Sequence, residues 1–126
     1  MSPPETAQRF DLDALREAIE TRDAATQAAM YAEDAEMVVI DADRPPSTPQ
    51  RLEGRAAIQA LLEDVCTRDL THTVERALRS GDLAAVTVAC RYGDGTRVQA
   101  SSTLDLRDGR IVRCETVQAW DPPAES

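Results

Sequence analysis

The hydrophobic period of this chain changes once, and that change constrains its fold more than any other feature. Up to about residue 68, apolar residues recur at helical spacing, interrupted by one short strand-like run; from Thr71 onward they alternate with polar ones. Leu12, Leu15 and Ile19 predict a first helix over about 11–21. Arg22-Asp23 breaks it, and Asp23 suits the N-cap of a second helix over about 24–32. That second helix is rich in alanine (Ala25, Ala28, Ala29, Ala32), which favours close packing. The β-branched run over 37–40 reads as a strand, and the proline-bearing segment 41–51 reads as a loop. After Gly54, Ile58, Leu61, Leu62 and Val65 fall at i, i+3, i+4 and i+7, the clearest helix of the chain, ending near Thr67-Arg68.

Period two then holds over 71–78, 84–92, 97–106 and 111–120. Ser80-Gly81-Asp82, Gly93-Asp94-Gly95 and Asp108-Gly109 separate these runs as hairpin signals. Three helices followed by a four-stranded meander give an α+β class, with the helices covering one face of a curved antiparallel sheet. The length of 126 residues suits one domain, placed at 11–120 between tails at 1–10 and 121–126.

A net charge of −9 repels nucleic acid and anionic lipid, so neither is expected as a partner. All 14 basic residues are Arg, and they are scattered rather than clustered. No apolar run is long enough to span a bilayer, and the first residues lack a signal-peptide pattern, so the cytoplasm is the expected compartment. Three cysteines, Cys66, Cys90 and Cys114, then read as free thiols. With a single histidine and no metal-ligand spacing, a metal is not expected; without a phosphate-binding glycine motif, neither is a cofactor.

Alternation sorts the strand faces. Ala84, Val86, Val88, Cys90 and Tyr92 share the inner face, as do Val98, Ala100, Ser102, Leu104 and Leu106. On the last strand Val112, Cys114, Thr116, Gln118 and Trp120 form an inner set more polar than a plain core requires. A ligand cavity with a few placed polar groups accounts for them; the alternative is a wet mouth where Thr116 and Gln118 bind water. The outer face carries Ala85, Thr87, Ala89, Val117 and Ala119, small and modestly apolar, and suits a sheet-to-sheet dimer.

Three motifs, taken in order, carry a resemblance. Tyr31-Ala32-Glu33-Asp34-Ala35 resembles the signature that ends the second helix in the SnoaL-like superfamily, which includes ketosteroid isomerases and nuclear transport factor 2. Gly54-Arg55-Ala56-Ala57-Ile58 looks like the element that opens its third helix, and Asp108-Gly109-Arg110-Ile111-Val112 like its last hairpin. The resemblance covers about 11–120. It implies a curved sheet around a conical pocket, an apolar small-molecule ligand and a homodimer. It does not specify a reaction. Carried over residue by residue, the isomerases' catalytic Asp falls on Val39, their helix-1 Tyr on Leu15, and their oxyanion-donating Asp on Ser102, or on Thr103 if the turn slips by one. All three functional groups are absent here, so steroid isomerisation by that mechanism is not expected. The Arg flanked by two Asp of limonene epoxide hydrolases is not recognisable either.

Asp41 and His72 are therefore the candidate catalytic residues. Asp41 lies two residues past Val39, displaced about 7 Å along the strand, where it is either a general base or the turn residue opening the proline loop. His72 shares its parity with Leu70, Val74 and Leu78 and leans inward, either as a proton-exchanging group or as a satisfied core residue. Together they would form an acid/base pair for an apolar carbonyl or epoxide compound. Tyr31, Val39, Tyr92, Ser102, Cys114, Thr116, Gln118 and Trp120 are the candidate ligand contacts, although Tyr31 and Trp120 are equally suited to filling the core. Cys114 beside His72 is a further candidate nucleophile. With one strand between them, Cys90 and Cys114 stand about 9–10 Å apart, too far for a disulfide. The alternative function is a non-catalytic dimeric binding module.

Overall fold

Side-chain caps and left-handed residues steer the first part of the chain. The computed structural model describes residues 10–122. Helix α1 (Leu12–Glu20) starts at Asp11, whose carboxylate accepts a hydrogen bond from the Ala14 amide at 3.0 Å. Arg22 adopts φ 58° and turns the chain. As the sequence predicts, Asp23 caps α2 (Ala24–Ala29), accepting from the Thr26 amide at 3.0 Å. The helix ends at Ala29 rather than Ala32, because strand β1 (Tyr31–Ile40) is claimed by the sheet. The Ile111 amide donates to the Met30 carbonyl at 2.9 Å, and Tyr31 pairs with Ile111. Tertiary pairing here overrides alanine's helical preference.

Strand β2 (Gln50–Glu53) pairs antiparallel with β1 and takes up residues 50 and 51, which the prolines nearby make look like loop. Helix α3 (Arg55–Cys66) follows, then β3 (Leu70–Ser80), β4 (Leu83–Tyr92), β5 (Arg97–Arg107) and β6 (Arg110–Asp121). These four strands pair in sequence order through tight turns, as the Asp/Gly signals predict. Asp108 and Gly109 take φ 54° and 77°, the left-handed pair that a two-residue hairpin turn needs. The sheet order is β2-β1-β6-β5-β4-β3. The sheet is curved and unclosed, and only the β1–β6 ladder is parallel. Among the described residues no helix is long and apolar enough to cross a membrane.

Two bulges change the parity of side chains. In β3 the register shifts between Val74 and Arg76, so Ala77 packs toward the core and Leu78, expected inside, is 60% exposed. Between β5 and β6 the register shifts at Asp105/Leu106, which brings Ile111 inward in place of Val112. An extra residue on one strand swaps the faces beyond it. Phe10, assigned to the N-terminal tail from sequence, is 3% exposed and joins the core, with the Arg79 guanidinium 5.5 Å from its ring centre. Asp121, assigned to the other tail, continues β6. The rest of the N-terminal tail, 1–9, and residues 123–126 lie outside the described residues.

The core lies between the concave sheet face and the helices, with Ile58 and Ile111 its largest fully buried side chains. Ile58→Ala is expected to cost roughly 2–5 kcal/mol, the range for truncating a buried branched residue. Urea unfolding followed by circular dichroism measures it, and a cost below about 1 kcal/mol would show that α3 does not anchor the core.

Candidate functional site

The inner face leaves a cavity of about 180 Å³ between the sheet, α1 and α3. Its walls are mainly aliphatic, from Leu15 and Ile19 on α1, Leu61, Leu62 and Val65 on α3, and Met37, Val39, Val86, Val88 and Val98 on the sheet. Alternation along β4 and β5 places these side chains on one face, so the valine-rich pattern builds the wall directly. Polar groups are interspersed in two tiers.

The inner tier sits at the buried end. Ser102 and Thr116 are cross-strand partners in the β5–β6 ladder, and their hydroxyls are 2.7 Å apart. The Cys114 sulfur is 3.5 Å from the Thr116 hydroxyl. Tyr31 lies beside Cys114, and burial, reinforced by that thiol, pushes its phenol well above its ordinary pKa. Burial pushes the Cys114 thiol up as well, against hydrogen bonds that pull it down. All four groups stay protonated at neutral pH. The Ser102 and Thr116 hydroxyls pair with each other, and Tyr31 opens a strand rather than closing a helix.

The outer tier lies near the rim. His72 and Cys90 are partners in the β3–β4 ladder, with Nδ1 3.5 Å from Sγ. Burial, and then the nearby Arg22 guanidinium, hold His72 below its ordinary value of 6.5. Burial also pushes the Cys90 thiol up. Tyr92 packs on Trp120 with ring centres 5.8 Å apart, and its hydroxyl accepts from Arg68 Nη1 at 3.0 Å. Arg68 Nη2 donates to Asp64 at 2.6 Å. Trp120 is 47% exposed, so it is a rim residue rather than core, and its indole donates to Gln118 at 3.2 Å.

The structure thus brings Tyr31, Val39, His72, Tyr92, Ser102, Cys114, Thr116, Gln118 and Trp120 to one cavity. Asp41 is not among the lining residues. Its Oδ1 accepts from the amides of Asp43 at 3.0 Å and Arg44 at 2.9 Å, and its Oδ2 faces Arg44 Nη2 at 3.3 Å. It closes the turn that opens the proline loop, so the Asp41–His72 pairing is not formed. Cys114 does not stand beside His72 either; the imidazole's thiol neighbour is its ladder partner Cys90, while Cys114 lies in the inner tier on β6. Leu15, Val39 and Ser102, the positions onto which the isomerase residues map, all face the cavity, whereas Thr103 is exposed on the opposite face.

Arg68, Cys66 and Gln27 line the cavity without having been singled out. Gln27 is a buried amide that donates to the Ala18 carbonyl at 3.2 Å. A glutamine set among alanines on a packing helix was the available signal. Arg68 follows the last helical turn, where no period reaches.

A SnoaL-like domain model matches residues 12–114, and the chain belongs to that family. A Kribbella flavida structure provisionally named a ketosteroid isomerase is similar over 99% of this chain and 84% of its own, at 26% identity and TM-score 0.69. A Mesorhizobium loti protein of unknown function, described as nuclear transport factor 2-like, has TM-score 0.70 at 21% identity, covering 97% of this chain and 95% of that one, a likeness of fold. A Bacillus subtilis structure provisionally named an isomerase has TM-score 0.63 at 25% identity, over 94% of this chain and 89% of that one. No curated protein matches the sequence.

Because His72 is the single histidine, its titration is directly readable by NMR. The midpoint is expected below 6.5. Below 6.5 the unfolded chain then binds a proton that the folded chain refuses, so His72 lowers stability as pH falls from 6.5 toward the folded-state value. His72→Gln should remove that component from urea unfolding measured across this window. A midpoint at or above 6.5 would contradict the burial of the imidazole.

Proposed function

We propose that this chain binds a small, largely apolar molecule carrying a carbonyl or epoxide oxygen, and that His72 is the group that exchanges protons with it. The carrying observation is the pairing of an aliphatic cavity with an imidazole whose environment favours its neutral form. A neutral imidazole near its working pH can both take and give a proton, the requirement of isomerisation, cyclisation or hydrolysis without a cofactor. The cavity's hydroxyls, Tyr92 on the same face as Cys90 and the inner Ser102–Thr116 pair, support a hydrogen-bonding place for the oxygen. The volume of about 180 Å³ exceeds the ~150 Å³ that accepts benzene and falls below the roughly 300 Å³ at which pockets for drug-sized ligands begin, so a one-ring molecule suits it better than a four-ring one. The naming of two similar structures as isomerases is in keeping with this reading. The three free thiols support a reducing, cytoplasmic setting.

One observation favours a second reading, binding without turnover: among the described residues the cavity lining includes no Asp or Glu. Cyclic ketones separate the two. Binding should raise the melting temperature, by about 2.7 kcal/mol of stabilisation at 100 times Kd. Ala100→Phe, which fills the cavity, should abolish the shift. In deuterium oxide, native protein should exchange the ketone's α-hydrogens and His72→Gln should bind without exchanging them. Binding without exchange by the native protein would assign the chain to the second reading. Failure of every oxygen-bearing apolar compound to bind would sink both.

The outer sheet face supports a homodimer. Ala85, Thr87 and Ala89 form a low surface beside Val117, 47% exposed, and Leu78. Sedimentation at micromolar concentration should give a dimer, and Val117→Glu should shift it to monomer. A native monomer would refute the interface.

A further inference from the structure

Proton exchange by His72 leaves other outer-tier groups unused, among them Cys90, Tyr92 and Arg68. Cys90 faces the imidazole as its ladder partner, sulfur 3.5 Å from Nδ1. Two residues on, Tyr92 shares that face, about 7 Å along the strand, so sulfur and phenol flank the same stretch of cavity. The Tyr92 oxygen already accepts from the Arg68 guanidinium, which leaves its own O–H to donate and makes it a better donor. The other lining thiols are placed differently: Cys114 contacts the Thr116 hydroxyl on β6, and Cys66 lies on the last turn of α3 and is not a ladder partner of the histidine.

We propose that Cys90 and His72 form a nucleophile–base pair that adds to small α,β-unsaturated carbonyl compounds, with Tyr92 donating a hydrogen bond to the carbonyl oxygen. This rests on the reading that the cavity admits a small oxygen-bearing apolar molecule, and it names the class. The Cys90 S–H bond breaks and its proton passes to Nδ1 of His72. The sulfur pair forms a bond to the β-carbon, and the C=C electron pair moves onto the carbonyl as an enolate held by Tyr92. Protonation of the α-carbon by His72 completes a thiol addition in which nothing is oxidised or reduced. Alternatively, the enolate expels the sulfur, which recovers its proton. Since the α–β bond is single in that intermediate, rotation before expulsion converts a cis enone to its trans isomer. Thiol and imidazole are both held neutral by burial, so the proton transfers only as the S–C bond forms.

The test is alkylation of the full chain by cyclohex-2-enone, mapped by peptide mass spectrometry over the three cysteines, with cyclohexanone as competitor. Cys90 should be modified first. His72→Gln should slow it by about 100-fold, the usual contribution of a general base, and Tyr92→Phe by less, with circular dichroism unchanged. Cyclohexanone should protect Cys90. Earlier labelling of Cys66 or Cys114, or a Cys90 rate indifferent to both variants, would overturn the proposal, even with cyclohexanone binding intact. Absence of cyclohexanone binding and of protection would instead remove the cavity reading, and the proposal with it. Tyr92→Phe alone still decides the matter if His72→Gln does not fold.

Discussion

One joint holds the domain together, where the parallel β1–β6 ladder meets the start of α3. The Ile111 amide donates to the Met30 carbonyl at 2.9 Å, the Gly54 amide to the Ala35 carbonyl at 2.7 Å, and Arg55 Nη1 to the Tyr31 carbonyl at 3.3 Å. Gly54 takes φ 92° to make that approach. Ala35, Ile58 and Ile111 fill the joint, each 0% exposed. A parallel pair cannot be closed by a hairpin, so β1 and β6 depend on tertiary contacts to find each other. The three segments that resemble the family's motifs are the three that converge here. They are a structural signature, which is why they specify the fold and are silent on the reaction.

The bulges turn that frame into a container. An unbroken alternation in β3 would aim Leu78 at the core and one in β6 would leave Ile111 outside. The extra residues increase local twist and bend the strands, which is how a sheet with free edges curves around a void. The β3 bulge falls between the level of His72–Cys90 and that of Ser102–Thr116, while the β4–β5 ladder that links the two polar tiers is regular throughout.

Much of this was legible. The change from helical to period-two spacing, the Asp23 cap and the Asp/Gly turns report local chemistry, and they placed the helices and the meander. Face alternation on β4 and β5 placed Val86, Val88, Cys90, Tyr92 and Ser102 inward, as found. What failed was long-range. Nothing near Tyr31 reveals that Ile111 competes for it, and nothing near Gln50 reveals its pairing with Val39. The bulges leave no residue-type mark, so parity beyond them was misread. Asp41 shows the limit for function: the same carboxylate suits a base or a turn, and only the amides of Asp43 and Arg44 decide between them.

The chemistry of the cavity follows from its dielectric. A carboxylate in an aliphatic wall loses hydration that a distant partner does not restore, and its proton affinity climbs until it is no longer a charge. This chain, at net −9, keeps the acidic side chains among its described residues out of the cavity lining and furnishes the void with hydroxyls, thiols, amides, an imidazole and, in the outer tier, the Arg68 guanidinium. Such groups survive burial by pairing, and here they do: Ser102 with Thr116, Cys90 with His72, Gln27 with the Ala18 carbonyl. A bound molecule must therefore join these pairs rather than fill orphaned positions. A hydroxyl pair can turn one O–H toward an incoming oxygen at small cost, whereas an aliphatic intruder of the same shape gains only the wall. On the proposed reading, such a lining favours a single oxygen on an apolar body.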